Sequence, residues 1–449
     1  MTKWLGAALQ YVEKWMSYQM QQTALPGCVI SVCHAGSVVF DCAFGVANLR
    51  TEEPLTPQHR FRVASHSKTF TAVGIMKLWE AGRLHLDDRI GSYVMGLHPQ
   101  VADATIAELL SHGAGLMRDG RRAPHWQVAA PFFSSVDLAA ELTQPPAIEL
   151  NTQFKYSNLG FGLLGMAIEA ITGETYNAWT AREVVSSLGL ENTTPDLIDA
   201  TSCHPLAAGH SGRLAKGRGA IDGSHTTHAL SAATGFVSTA RDLAIFFASL
   251  SPSAKNSVLS VGSRREMLRP QRSIEHTNAA LYYGYGLTIA EVDGHTIVGH
   301  RGAFPGFISR TVLVPEWDVS ISVVTNAIDG PADDWAEGIV SIMHRFEEAG
   351  TPTERLKHWE GRWWTIWSAI DLVAVGDRVL VADPSTVRPF SYAAELAIVD
   401  HNHGTIALAN GFHNEGEAVA LELEGGAAVG LKLGAAEWVD NPGKLAIAF

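Results

Sequence analysis

The chain of 449 residues carries 46 acidic and 33 basic side chains for a formal charge of −13, with 46% hydrophobic and 18% charged residues. That length implies two or more domains with ample core burial, and the acidic balance argues against nucleic acid and against an anionic membrane surface as partners. No run of about eighteen apolar residues, the length that marks a membrane span, appears in the chain.

Residues 2–22 place apolar side chains at helical spacing among Gln10, Glu13 and Lys14, which predicts an amphipathic first helix. The segment lacks a continuous apolar core followed by a small-residue cleavage site. It therefore does not read as a signal peptide, and a cytoplasmic location is expected. Strands are expected at 27–34 and 37–46, joined by the hairpin signal His34-Ala35-Gly36. Cys28, Cys33, Cys42 and Cys203 show no metal-ligand spacing and three of them fall in expected strands, so buried reduced thiols are the expectation.

Ser65-His66-Ser67-Lys68 puts a hydroxyl and an amine three residues apart at the head of a helix-compatible run that Gly82 closes. Three residues apart on a helix, two side chains share a face and can touch. A serine opening that helix lies near the positive end of its macrodipole, beside backbone N–H groups that lack partners. Serine is a weak nucleophile at its free pKa and needs a base; a desolvated Lys68, its pKa lowered, can be that base. Ser-x-x-Lys alone is common, and the motif gains weight only with company.

Mainly helical sequence, interrupted by loops, continues to about residue 250. Within it, Tyr156-Ser157-Asn158 precedes a Gly-rich apolar helix and offers a phenol for proton transfer and an amide for substrate contact. The loop at 204–228 holds His204, His210, His225 and His228, unevenly spaced in flexible sequence, which favours solvated loop histidines over a metal site. Strands resume at 283–290, 295–299, 307–314 and 318–325, and an amphipathic helix is expected at 332–348. His300-Arg301-Gly302 follows the second of these strands, where Gly302 would let a substrate backbone approach.

These elements, separated by roughly ninety and then roughly one hundred and forty residues, form a pattern stricter than any one of them. In it the sequence resembles the serine β-lactamase and penicillin-binding protein family, in its class C-like, peptidase S12 branch. Supporting stretches are Phe61-Arg62-Val63-Ala64-Ser65, TIAELLSHGAGL at 105–116, Gly235-Phe236-Val237-Ser238-Thr239-Ala240, Tyr283-Gly284-Tyr285-Gly286 and GHRGAFPGF at 299–307. The resemblance implies an α+β fold in residues 1–350: an antiparallel sheet completed by both ends of the domain, flanked by helices and carrying a helical lobe. The catalytic cleft would lie between sheet and lobe.

Where the family usually has K-T-G this chain has His-Arg-Gly, and a neutral imidazole lowers the fixed positive charge of the cleft. That counts against efficient β-lactam turnover and is similar to D-aminopeptidases, related peptidases, esterases and peptide-cyclising thioesterases. The family pattern makes Ser65 the nucleophile, Tyr156 a second proton carrier and rival to Lys68 as base, and the N–H groups of Ser65 and Ala303 the oxyanion hole. It has Asn158 orient Lys68 and hold the substrate amide, and His300 bond the Tyr156 oxygen or the substrate. Arg301 either forks a substrate carboxylate or, by strand alternation, points away.

Beyond about residue 355 the chain alternates in short segments punctuated by Gly, Asp or Asn, and six to eight strands over about ninety residues argue for a small closed β-barrel. Residues 355–449 resemble the lipocalin-like domain attached to some of these hydrolases. The Trp359, Trp363, Trp364 and Trp367 cluster is expected in the barrel core or an interdomain contact. The expected activity is acyl-enzyme hydrolysis of amide or peptide bonds of D-amino-acid or other non-standard substrates, with esterase or acyl-transferase chemistry as the alternative. Neither cofactor nor metal is expected, and the partner is a small molecule or short peptide. A non-catalytic role is disfavoured because Ser65, Lys68, Tyr156 and Asn158 are all present.

Overall fold

A computed structural model describes residues 2–197, 204–275, 277, 280–410 and 413–445, so Cys203 lies outside the described residues. The chain divides into two compact units, Leu25–Ala336 and Met1–Ala24 with Glu337–Phe449. Packing thus groups the first helix, Lys3–Thr23, and most of the helix Ala332–Ala349 with the C-terminal strands, a grouping that periodicity along the chain has no means of expressing.

The larger unit is built on a nine-stranded antiparallel sheet in the order Glu53–Pro54, Ser37–Asn48, Gly27–His34, Val319–Thr325, Phe307–Val314, His295–Phe304, Thr288–Val292, Tyr282–Tyr283 and Arg272–Ser273. Strands from the two ends of the unit meet at the centre, where Cys28 pairs with Thr325 and Cys33 with Ser320. Ala35 and Gly36, with φ of 50° and 78°, form the two-residue turn that the right-handed strand twist favours. Val319–Thr325 is buried throughout, as expected of a strand covered on both faces. Cys28 and Cys33 are buried free thiols and Cys42 is half-buried.

Two strands differ from expectation. The segment at 283–290 is broken into Tyr282–Tyr283 and Thr288–Val292, because the chain turns at Gly286 with φ 73°, against the Lys68 carbonyl. The strand expected at 295–299 runs on to Phe304, because residues 300–304 find partners in residues 307–311. His300 is therefore a sheet residue.

The helix His66–Glu80 is buried on nearly every side, which explains why its apolar residues follow no single stripe. Phe70 stacks on Phe236 and Phe246 with ring centroids 4.1 and 3.6 Å apart. A second helix, Asn158–Thr172, starts where Ser157 Oγ accepts the Gly160 N–H and ends at Gly173, φ 76°. Of the loop histidines, His210 accepts the Leu49 N–H and bonds the Asn326 carbonyl, and His228 bonds Thr226, so these imidazoles serve loop packing.

In the smaller unit eight strands close into an antiparallel barrel from Gly361–Trp364 to Ala436–Val439, the last pairing with the first through Trp364 and Val439. Trp359 and Trp363 sit in its apolar interior with Leu372, Leu396, Ile406 and Leu431. Trp364 instead packs against Tyr18 of the first helix. Trp367 corrects the expected cluster: it is 88% exposed, carried outward on the turn between the first two barrel strands. Among the described residues, no helix is long and apolar enough to cross a membrane.

Candidate active site

Ser65 stands at the mouth of the buried helix, directly after Ala64, whose φ of 45° is a conformation that a residue with a Cβ adopts at a cost. The tight turn is held from below. Ser67 Oγ donates to the Ala64 carbonyl at 2.5 Å and accepts the Phe236 N–H at 3.0 Å, while the Ser67 and Lys68 N–H groups bond the Ala64 and Ser65 carbonyls. The result aims the Ser65 hydroxyl away from the helix, with no cap bond of its own to make.

That hydroxyl is held from two sides. The Tyr156 phenol donates to Ser65 Oγ at 2.8 Å, and Lys68 Nζ lies 3.1 Å away. Lys68 is fully buried. Its other contacts are Asn158 Oδ1 at 2.6 Å and the Ala233 carbonyl at 2.8 Å, both obligate acceptors. Lys68 Nζ thus donates to three oxygens, and on losing one proton it can keep the two carbonyl bonds and turn its lone pair to the serine hydroxyl. Burial drives the Lys68 pKa well below its ordinary value, opposed by the Asp119 carboxylate.

Tyr156 is pushed the other way. Burial raises its pKa, so it remains a protonated phenol, and the Lys68 amine sits 4.7 Å from its ring centroid. The extended Ser157 between them, φ −142° and ψ 121°, lets the Tyr156 and Asn158 side chains project to the same side.

His300 is buried in the sheet, and its Nε2 meets the Tyr283 hydroxyl at 3.0 Å while Nδ1 bonds the Arg301 carbonyl. Of the two partners expected for it, the Tyr156 oxygen or the substrate, the first is not the one it meets. The strand register sets Tyr283 beside Thr288, and Thr288 beside Gly299, so the imidazole next along reaches Tyr283 first. Its ring centroid is 6.5 Å from that of Tyr156. Burial holds His300 neutral by lowering its pKa well below the ordinary value.

Gly302 also has a different neighbour from the one expected. A Cβ there would stand 2.2 Å from the Val63 carbonyl oxygen, so its bareness admits the turn that carries the nucleophile and not a substrate backbone. Ala303, the next residue of the strand, is exposed. Arg301 is 65% exposed and its guanidinium lies 3.5 Å from Asp333, which Arg310 on the adjoining strand shares at 3.6 Å.

Two residues absent from the sequence reading complete the site. Asp119 Oδ1 accepts from Asn158 Nδ2 and from Trp126 Nε1 at 2.9 Å, and so fixes which end of the Asn158 amide faces Lys68. His112, in a left-handed conformation at φ 58°, accepts the Ser157 N–H on Nδ1 and packs its ring 4.3 Å from that of Tyr156 and 4.7 Å from that of Tyr283. His112 lies in the TIAELLSHGAGL stretch at 105–116, which carried the resemblance but assigned that imidazole no role, and nothing in local sequence marks Asp119, which acts through a residue distant in the chain.

A serine hydroxyl between a buried amine and a phenol, on a sheet-and-helix frame of this topology, is the arrangement of a serine hydrolase. The sequence matches the Beta-lactamase family over residues 12–341, and the chain belongs to that family. It is 26% identical over 200 residues to Protein flp of Staphylococcus aureus (strain N315), a match covering 43% of this chain and 39% of that protein, so the chain spans about two-fifths of the length of this relative. The octameric penicillin-binding protein homologue from Pyrococcus abyssi is similar in structure with a TM-score of 0.66 at 21% identity, over 96% of this chain and 99% of that one. The D-amino acid amidase from Ochrobactrum anthropi SV3, complexed with D-phenylalanine, gives 0.64 at 21% identity, over 76% and 99%. At such identities the two structures attest the fold.

Proposed function

We propose that the protein hydrolyses amide bonds of D-amino-acid or other non-standard aminoacyl substrates through an acyl-Ser65 intermediate. The observation that carries the reading is the Ser65 hydroxyl held 3.1 Å from the buried Lys68 amine and 2.8 Å from the Tyr156 phenol. Lys68, neutral by burial, takes the Ser65 proton as Oγ attacks the carbonyl carbon. Tyr156 gives its proton to the departing nitrogen, and the Lys68 ammonium over its ring offsets the phenolate charge. The N–H groups of Ser65 and Ala303 receive the developing oxyanion. In deacylation the phenolate takes a proton from water, the resulting hydroxide attacks the ester carbon, and Lys68 returns its proton to Ser65 Oγ.

Two things favour an amide substrate. A protonated phenol supplies the proton that a poor amine leaving group needs and an activated ester does not. The neutral His300 leaves the third motif without the fixed cation of K-T-G, which turns the site away from β-lactams. The likeness in fold to a D-amino acid amidase supports the D configuration.

The test compares turnover of D- and L-aminoacyl anilides with short-chain nitrophenyl esters. Cleavage of D-anilides, lost in Ser65→Ala, is expected. Turnover of esters alone rejects the amide reading, and full activity in Ser65→Ala rejects the nucleophile.

A further inference from the structure

In the smaller unit the barrel interior is occupied by Trp359, Trp363 and their apolar neighbours, and open space lies on the outer wall. A cavity of about 750 Å³, within the range of small-molecule sites, runs between the first helix and the strands Gly361–Trp364 and Ala369–Val375. The helix lines it from Thr2 to Ser17, roughly 22 Å at 1.5 Å per residue, and Gly6 and Ala7 keep that face bare. Strand alternation sends Leu372 and Ala374 into the barrel core and turns Asp371 and Val373 to the outer wall.

Asp371, 4% exposed, takes two bonds from Arg362, Nε at 2.7 Å and Nη2 at 2.8 Å, and one from the Tyr11 hydroxyl at 3.2 Å. Nη2 also donates to the Lys14 carbonyl at 3.0 Å, and the guanidinium stands 4.7 Å from the Tyr18 ring centroid. Arg362 is thus fixed on the cavity wall with 20% of its side chain exposed, and among the described residues its Nη1 makes no hydrogen bond. The carboxylates that line the cavity each have a cation: Asp371 has Arg362, Glu360 has Lys14 at 3.3 Å and Glu354 has Lys357 at 2.7 Å. Lys3, an exposed lining residue, pairs with none of the described residues. What stays uncommitted is a positive charge and a guanidinium edge, in a chain whose formal charge is −13. Donors held in place before a ligand arrives lower the ordering cost of binding it.

We propose that this cavity binds a small organic oxyanion, its carboxylate or phosphate head on Arg362 Nη1 and its apolar tail along Gly6 and Ala7. The head accepts charge-assisted bonds from a guanidinium already oriented by Asp371, and the Lys3 ammonium adds a second, screened attraction. Every residue invoked belongs to the smaller unit, so the site is separate from Ser65 and stands whatever bond the hydrolase cleaves.

The probes are octanoate and octyl phosphate, with octanol and octylamine as controls, titrated calorimetrically at pH 7 into the full chain. At least one anion is expected to bind with a Kd on the order of 0.1–1 mM, about ten-fold or more tighter than octanol or octylamine. Binding of octanoate alone assigns the head as a carboxylate, and of octyl phosphate alone as a phosphate. Arg362→Lys keeps a cation for Asp371 and removes the free edge, and is expected to weaken the anion about ten-fold. Ala7→Phe fills the bare face and is expected to abolish binding with the fold intact by circular dichroism; this variant and Lys3→Glu, expected to weaken binding a few-fold, decide the matter even if Arg362→Lys does not fold. Failure of both anions to bind, binding of octanol or octylamine as tight as theirs, or an affinity unchanged in Ala7→Phe each overturns the proposal.

Discussion

Replacing Gly302 by alanine isolates the contact that joins sheet and nucleophile. The added Cβ would meet the Val63 carbonyl oxygen at 2.2 Å, Ser309 Oγ at 2.5 Å and His66 Nδ1 at 3.0 Å, where ordinary contacts begin at 3.4 Å. The Ser309 hydroxyl can rotate. Val63 cannot yield easily, since its carbonyl already accepts the His66 N–H and bonds His66 Nδ1 at 2.9 Å, and Gly302 is pinned in the strand opposite Ser309. The clash must be relieved by about an ångström of movement between the strand and the turn that precedes Ser65. Overpacking of this kind costs roughly 1–3 kcal/mol. A displacement of that size at a reacting group costs on the order of a hundred-fold in rate. We expect Gly302→Ala to lower kcat on a nitrophenyl ester by about two orders of magnitude and Tm by a few degrees. Gly219→Ala, whose Cβ would meet only Ser211 Oγ at 3.8 Å, should change neither. Wild-type kcat and Tm in Gly302→Ala would refute the argument that the strand and the nucleophile turn are in contact at this point.

Tyr156→Phe should reduce anilide turnover far more than nitrophenyl ester turnover, because nitrophenolate departs without a proton; equal losses on both substrates in steady-state kinetics would remove the proton-donor role. Lys68→Met should cost roughly 10²–10⁴-fold in kcat/KM, the usual contribution of a general base. In the wild type, kcat/KM should climb with pH as Lys68 loses its proton, and the limb should begin well below the ordinary lysine range, since burial lowers that pKa; a limb near 10 would mean that the amine is not the base. Acid should unfold the larger unit early. Burial lowers the pKa of His66 to about 3 and depresses those of His112 and His300 as well, so between that value and the unfolded pKa of about 6.5 the unfolded chain binds more protons. Stability therefore rises with pH across that window and is lost as pH falls through it, by about 1.4 kcal/mol per unit for each histidine that stays neutral. A urea midpoint that holds level from pH 7 to pH 4.5 would contradict this.

Much was legible in one dimension. The helix at residues 3–23, the hairpin turning at Ala35-Gly36, the helix behind Ser65 and the alternating segments of the barrel are local statements. Apolar spacing and turn chemistry write them into the chain wherever a neighbour would sit. Ser65 and Lys68 belong to the same category, since three residues of helix set their separation.

What lay beyond the sequence needed two distant segments to meet. The proposed choice of Lys68 over Tyr156 as base rests on burial, which lowers one pKa and raises the other, and on oxygens drawn from residues 65, 158 and 233 around the amine. His300 was expected to bond the Tyr156 oxygen or the substrate and within the protein meets Tyr283, because strand register and not motif order selects its partner. Gly302 reads as an opening for substrate until the Val63 carbonyl is seen to occupy the space. Asp119 carries no motif at all and enters the site through Asn158. Sequence alone determined which chemical groups this protein has and which segments carry them. Only the tertiary structure decided their burial and partners, because desolvation and contact are properties of the packed neighbourhood and not of the residue.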